Sequence, residues 1–530
     1  MCPGNESQTP FHEEHLLLPK EGEDGIIDRI GEGDVTVHAF PFWPAFNKVA
    51  EELVYLARIT CPIVITSFLL FSRSIISTHF LGRLGGIELA GGSLAIGFAN
   101  ITGYSLHKGL AMGMDPICAQ AYGAKRWKVL SQTYQRTLLL LLLFSIPISL
   151  LWINMEQIML WTGQDPEITP TARIYLLYCL PDLLANALLQ PLRIFLRAQG
   201  QTTPLAVSAA IALAMHYPIN YLLVEYMGMG VKGVALATAW NTMNLNVGLL
   251  MYLGASQKAL KPWAGVGRGS LKGWRPLMKL SMVSAMSVCL EWWWYEVMTV
   301  VCGLLEQPKW TMGAMGVMIQ MTGLLYVVPS SVSLGLSTRV GHELGAGRAE
   351  GARRAACCGM WAAAVMGLGA MGFTVGVRGL WGRMFTEEEG VLGLLAVALP
   401  IAGLCEVGNC PQTAGCGVLT GSARPGIGGK INFGAFYLVG LPVAVGLGFG
   451  TRVGFEGVWL GLLAAQATCA ILMVRAVLRT DWELQAERAR ELTMQSSASA
   501  SASSTAGNQE DNDDEEEEEE ENDLEARLLP

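Results

Sequence analysis

The sequence predicts an all-α polytopic membrane protein: twelve transmembrane helices in two six-helix lobes, related by a pseudo-twofold axis along the membrane normal. Three observations predict it. Of 530 residues, 51% are hydrophobic and only 15% charged, against about 25% charged in soluble domains, and the mean hydropathy is +0.37. A bilayer core needs about 20 apolar residues per helix, and such stretches recur twelve times. The chain also repeats itself. Tyr122-Gly-Ala-Lys-Arg-Trp127 is echoed by Leu344-Gly-Ala-Gly-Arg-Ala349, with Gly123 and Gly345 222 positions apart. Arg197-Ala-Gln-Gly-Gln-Thr-Thr-Pro204 is echoed by Leu419-Thr-Gly-Ser-Ala-Arg-Pro425, and Val231-Lys-Gly-Val234 by Phe455-Glu-Gly-Val458, at offsets of 221 and 224. So long a period excludes a solenoid. In an apolar chain it reads as two homologous bundles with solute handled between them.

Taken in order, residues 1–52 are polar and acidic and read as a cytosolic tail without a cleavable leader. Within it, Glu13-Glu-His-Leu-Leu-Leu18 has the form of an acidic dileucine signal that would engage a sorting adaptor. Spans at 53–77, 86–110, 131–153, 170–192, 204–225 and 231–253 make the N-lobe, 53–253. A basic interlobe linker occupies 254–277. Spans at 278–302, 312–336, 354–377, 391–415, 430–449 and 455–478 make the C-lobe, 278–478. Six spans return the chain to its starting side, so the repeat is parallel and not inverted. Inner segments then hold 24 basic residues and outer ones eight, with Arg73, Arg83 and Arg173 among the latter. That bias puts both termini in the cytosol. Prolines inside the spans (Pro62, Pro147, Pro181, Pro218, Pro329, Pro400 and Pro442) predict kinks.

The last segment, 479–530, is Ser/Ala-rich from Ser496 and then acidic. Residues 510–530 hold 13 acids and one base, Arg527, a charge of −12 that exceeds the net −9 of the whole chain and leaves +3 elsewhere. Such a tail buries no core and is expected to be disordered. The twelve cysteines form no CxxC pair and mostly lie in apolar stretches, so they read as small buried residues. No metal site, cofactor or nucleic-acid partner is expected, and no phosphate loop or paired catalytic site marks an enzyme.

Several motifs resemble a known family. Cys410-Pro-Gln-Thr-Ala-Gly-Cys-Gly-Val-Leu-Thr-Gly-Ser-Ala-Arg-Pro425 is similar to the tenth-span signature of plant multidrug and toxic compound extrusion (MATE) transporters. Cys289-Leu-Glu-Trp-Trp-Trp-Tyr-Glu296 resembles their seventh span, and Gln120-Ala-Tyr-Gly-Ala124 and Val340-Gly-His-Glu-Leu-Gly-Ala-Gly347 the paired loops after spans two and eight. The resemblance covers roughly residues 45–480 and points to the detoxification-type subgroup. It implies two lobes around a V-shaped cavity and export of organic solutes in exchange for cations. The chain is expected to act as a monomer on a small organic solute and protons within the lipid bilayer.

Intramembrane carboxylates default to functional hypotheses. Glu291 sits mid-span in an apolar helix, which suits a group that takes up and releases protons. The resemblance implies the same, since Glu291 matches the seventh-span acid on which cation coupling in plant relatives depends. Tyr295, four residues on, shares its face and is expected to reach it. Glu296, about 140° around the helix, is a second coupling candidate. Of Trp292, Trp293 and Trp294, one is expected in the cavity, and Trp292 is taken as that one. Glu406 stands fifteen residues before Gly421. Where relatives carry an aspartate eight residues before that glycine, this chain has Thr413, so Glu406, about two turns earlier, is the candidate substitute. Gln412 and Thr413 are expected to line the cavity. In the N-lobe, the first-span aspartate of bacterial relatives is replaced by Ser77, and Asp182, beside Pro181, is the remaining candidate acid. Asp115 is expected to act as a gate or loop cap, pairing with Lys125 or Arg126, and Arg424 is placed with it in gating. The repeat position of Glu291 falls at Leu69 and Leu70, so buried charge in the first spans is expected in the C-lobe alone. The function expected is solute:proton antiport by alternating access. A narrow-specificity exporter of organic acids or hormones is the alternative, and a receptor or channel the more remote one.

Overall fold

The structure, a computed structural model, describes residues 46–494 apart from 162, 264–273 and 452. Among the described residues, twelve long helical runs are present: α1 (Phe46–Leu84), α2 (86–123), α3 (Trp127–Ile153), α4 (Thr169–Tyr178 and Leu180–Ala198), α5 (Thr203–Tyr226), α6 (Val231–Ala255), α7 (Arg275–Gly303), α8 (Pro308–Gly345), α9 (Ala349–Trp381), α10 (Glu389–Gly421), α11 (Pro425–Gly450) and α12 (Phe455–Leu478). Eight are long and apolar enough on their own to cross a membrane, and the two pieces of α4 make a ninth. The other three carry the polarity or the breaks. The α2 run is interrupted by a π-helical turn at Asn100–Tyr104 and again at Gly113. Asn241, Asn244 and Asn246 lie in α6, and Glu291 with its tryptophans in α7. Several runs outlast the expected spans, among them α1, of 39 residues, and α8, which continues to Gly345.

The breaks have local causes. Helix α4 bends by 47° at Cys179, two residues before Pro181, whose ring nitrogen cannot donate to the Leu177 carbonyl. Both α5 and α11 contain π-helical segments, Tyr221–Tyr226 and Gly434–Gly440; in α11 the segment includes Leu438, whose carbonyl Pro442 leaves without a donor.

The repeat is written into the backbone. Left-handed φ values occur at Lys125 and Gly347 (58° and 73°), at Gly200 and Ala423 (71° and 57°), and at Gly230 and Gly454 (57° and 61°). These are equivalent positions of the two halves. The turns close alike: the Arg126 amide donates to the Ala121 carbonyl and the Arg348 amide to the Glu343 carbonyl, both at 2.8 Å. This is the six-to-one bond of a Schellman cap. A left-handed L-residue costs about 1–2 kcal/mol, so Lys125 and Ala423 keep a turn that the surrounding helices impose. The stretches similar to loops after spans two and eight are therefore mostly the last helical turns of α2 and α8, with only 124–126 and 346–348 outside them.

Each lobe packs its own core. Phe80, Trp152 and Tyr175 centre that of the N-lobe, and Trp294, Trp459, Met315 and Phe436 that of the C-lobe. Two helices cross over. Leu277 and Ala285 of α7 join Leu110 and Met114 of the N-lobe, while Leu56 of α1 joins Leu336 and Val340 of the C-lobe. Small residues permit the approach. A Cβ on Gly417 of α10 would stand 2.2 Å from the Ser333 carbonyl of α8, the close backbone contact that drives helix association in lipid.

Between the lobes, α6 runs to Ala255, a short helix covers Gln257–Leu260, and α7 begins at Arg275. Beyond α12, residues 482–494 are helical, and Ala486 and Ala489 are buried in the C-lobe cluster. Arg424 donates to Thr480 at 2.9 Å, tying the start of α11 to this segment. The Glu13–Leu18 motif and the acidic run lie outside the described residues.

Arg73 corrects two expectations. It is not an outer-loop residue. It lies in α1, and its guanidinium donates to Thr242 of α6 at 3.0 Å inside the N-lobe. Charge in the first span is thus not confined to the C-lobe.

Candidate functional site

The lobes meet at the end that carries the two matched turns. Asp115 of α2 is fully buried. It accepts from Arg197 of α4 at 2.6 Å and from Ser337 of α8 at 2.6 Å. Ser337 is 222 residues from Asp115, the repeat offset, so the acid bonds to its own counterpart across the pseudo-twofold axis. The expected pairing of Asp115 with Lys125 or Arg126 is replaced by an ion pair with Arg197 of its own lobe and a hydrogen bond from Ser337 of the other, while Lys125 is exposed beside the turn.

Around this pair the contacts are reciprocal. The Gln120 amide donates to the Gly421 carbonyl at 2.9 Å, and the His342 ring to the Ala198 carbonyl at 2.7 Å. A Cβ on Gly123 would stand 2.2 Å from the His342 carbonyl, and one on Gly345 2.0 Å from the Gln120 carbonyl. Backbone cannot yield there as a flexible side chain would. Gly345→Ala should therefore hold the lobes apart at this end, at a cost of about 1–3 kcal/mol. Disulfide trapping between cysteines placed at Lys128 and Glu350, both exposed beside the turns, should fall in this variant.

Arg339 of α8 adds a further clasp, with Glu52 of α1 at 2.6 Å and with Glu343. The cross-lobe hydrogen bonds at Ser67–Ser331 (3.2 Å) and Trp293–Ile101 (3.4 Å) lie nearest the other end. At that other end, Lys309 and Trp310 donate to Glu388 at 2.9 and 3.0 Å, and these bonds hold the exposed Glu388 carboxyl below the usual carboxylate range.

The candidate coupling acids fall in three places. Glu291 of α7 is partly buried at the lobe interface. Tyr326 of α8 offers it a hydroxyl, and Lys108 of α2 lies within its electrostatic reach. Lys108 also sits 5.1 Å from the centre of the Trp292 ring. Glu406 is buried within the C-lobe, accepting from Asn409 at 2.9 Å. Asn409 in turn takes Thr413 and Gln466, each at 3.4 Å. Tyr295 stands in the field of both Glu291 and Glu406. Gln412 donates to Asn432 of α11 at 3.3 Å. Glu296 is on the exposed face of α7, apart from this set. In the N-lobe, Asp182 is fully buried. It accepts from Tyr104, from Thr242 at 2.5 Å and from Asn186 at 3.1 Å. Ser77 meets His216 at 3.0 Å. No group of metal-ligating side chains occurs among the described residues.

The profile of the MatE family matches residues 62–222 and 284–445, two blocks that begin 222 residues apart, like the glycines and the paired acid. The chain belongs to the MatE family. It is 55% identical to Protein DETOXIFICATION 53 of Arabidopsis thaliana over 84% of this chain and 92% of that one. It is 54% identical to DETOXIFICATION 48 of the same plant, over 86% and 85%. Among solved structures it resembles the eukaryotic MATE transporter AtDTX14, with a TM-score of 0.81, 30% identity, and coverage of 84% of this chain and 99% of that one. The Vibrio cholerae MATE transporter VcmN, at 16% identity and a TM-score of 0.73, shares the fold. The chain is thus a multi-pass membrane transporter of the detoxification type in the MatE family, and not an enzyme.

Two residues at the MatE site escape a reading of the sequence. Lys108 carries a usable signal, since a lysine inside the apolar 86–110 stretch is costly in lipid. Tyr326 carries none, being one aromatic among many apolar neighbours. The triple tryptophan resolves by helix face: Trp294 is fully buried in the C-lobe core, Trp293 is exposed, and Trp292 faces Lys108.

Proposed function

We propose that the chain exports an organic solute in exchange for protons by alternating access, with both termini in the cytosol. The plasma membrane or a vacuolar or endosomal membrane is its site. The observation that carries the reading is Glu291: an acid at the lobe interface, between Tyr326 on its own lobe and Lys108 on the other. With the basic inner segments on the cytosolic side, the described state is closed toward the cytosol by the Asp115 cluster and faces outward. A proton arriving on Glu291 removes its attraction for Lys108 across the interface. The lobes then re-seat, and release of the proton to the cytosol restores the attraction. Glu406 and Asp182 extend the protonatable set into each lobe, Tyr295 links Glu291 to Glu406, and Gln412, Thr413 and Trp292 complete the cavity. Arg424 anchors the segment after α12, and Asp115 acts as the gate.

Inside-out vesicles test this with ethidium and fluorescein as probes. An imposed proton gradient should drive accumulation of at least one of them, and a protonophore should collapse it. Preloaded unlabelled probe should also accelerate entry by counterflow, which a channel does not give. Equal entry with and without the gradient would overturn the reading.

A further inference from the structure

The cations at the interface form a ladder. Asp115 and Arg197 make its lowest rung. Lys108 lies seven residues before Asp115 on α2, and Arg193 four before Arg197 on α4, so each continues the face of its partner rung further into the bundle. This second rung is made of two cations, with Arg193 within the electrostatic reach of Lys108. The charges around them are mostly matched. Arg197 has Asp115. Arg73 reaches Asp182 through Thr242. Lys108 has Glu291. Arg193 has none: its charged neighbours are the cations Arg73, Arg197 and Lys108, and among the described residues it makes no hydrogen bond or ion pair. It is nonetheless partly accessible. An unmatched guanidinium at this depth is costly and marks a ligand path, and its planar fork suits a carboxylate.

We infer that the solute carries an anionic oxygen group, a carboxylate or its equivalent, and that this group binds between Lys108 and Arg193. With Glu291 ionised, one such group brings the set to neutrality, while an organic cation meets net positive charge. The Trp292 ring, already against Lys108, offers a flat surface for the body of the solute. The assignment rests on the interlobe cavity being the solute path. It deepens the exporter reading by naming the solute class.

Binding tests it without transport. The full chain in lipid nanodiscs is titrated with benzoate and with benzyltrimethylammonium, an aromatic anion and cation of similar size, and thermal stability is followed. Benzoate should stabilise the wild type and benzyltrimethylammonium should not. Arg193→Gln should weaken the benzoate response at least tenfold, and Arg193→Lys should restore part of it, while neither variant melts below the ligand-free wild type. A response to the cation equal to that to benzoate, or a benzoate response unchanged in Arg193→Gln, overturns the assignment. Benzoate binding lost in Arg193→Gln, in a protein that moves no probe under a proton gradient, leaves the site standing and removes the exporter reading instead.

Discussion

Glu291→Gln is expected to abolish proton-driven accumulation while the protein still folds and inserts. One proton crossing 100 mV supplies about 2.3 kcal/mol, enough for roughly a fiftyfold gradient of a neutral solute. Glutamine keeps the size and the hydrogen-bonding capacity of the protonated acid, so Tyr326 retains a partner, but it cannot release a proton. The accumulation ratio should therefore fall to about unity, whereas counterflow between equal pools, which needs no net proton movement, should persist in part. Glu406→Gln should be milder, because Glu406 lies within its lobe on Asn409 and reaches Glu291 only through the field of Tyr295. Uptake into inside-out vesicles under a fixed gradient checks both. Wild-type accumulation by Glu291→Gln would remove Glu291 from coupling.

The second large effect is expected at Asp115. Its carboxylate is fully buried and is matched by Arg197, whose side chain is only 8% exposed, and by Ser337. Breaking a buried ion pair by removing one partner costs about 3–5 kcal/mol, mostly because the remaining charge is left uncompensated. Asp115→Asn keeps the acceptor for Ser337 but strands Arg197. It should lower the melting temperature sharply and, with the charged acceptor of Ser337 made neutral, loosen the end that carries the two turns, seen as faster labelling of a cysteine placed near Ser337. Adding Arg197→Gln should recover much of the stability, since no charge is then left unmatched. The double variant discriminates: if it is as unstable as Asp115→Asn alone, the loss is one of packing and not of the stranded charge.

How far this was legible in the sequence follows from which forces set each feature. The twelve helices and two lobes follow from hydropathy and from turns that need a left-handed residue, and both are local properties. The equivalence of Lys125 and Gly347 is visible as a sequence echo because the same backbone turn is built twice. Glu291 is legible because a carboxylate in lipid is costly wherever it points. Its partners are not. Tyr295 shares a helix face with it, yet Tyr326 of α8 meets it, because two helices packing side by side outweigh a contact within one. Asp115 shows the same: Lys125 and Arg126 are near in sequence, but the Schellman turn points them elsewhere and Arg197 arrives from α4. Arg73 is misplaced by counting it to an outer segment although it lies within the expected 53–77 span, where α1 packs it against Thr242 of α6.

The decisive observation is a distance. Nitroxide labels at Lys128 and Glu350, equivalent positions beside the two turns, report the separation of the lobes at that end without any need to know the solute. In nanodiscs, the wild-type distance distribution should differ between acidic and alkaline buffer. Glu291→Gln, fixed in the uncharged form, should give at both the distribution that the wild type shows in acid. A Glu291→Gln distribution that moves with pH as the wild type does, or a wild-type distribution that does not move at all, would contradict a transporter whose lobes are set by the proton on Glu291.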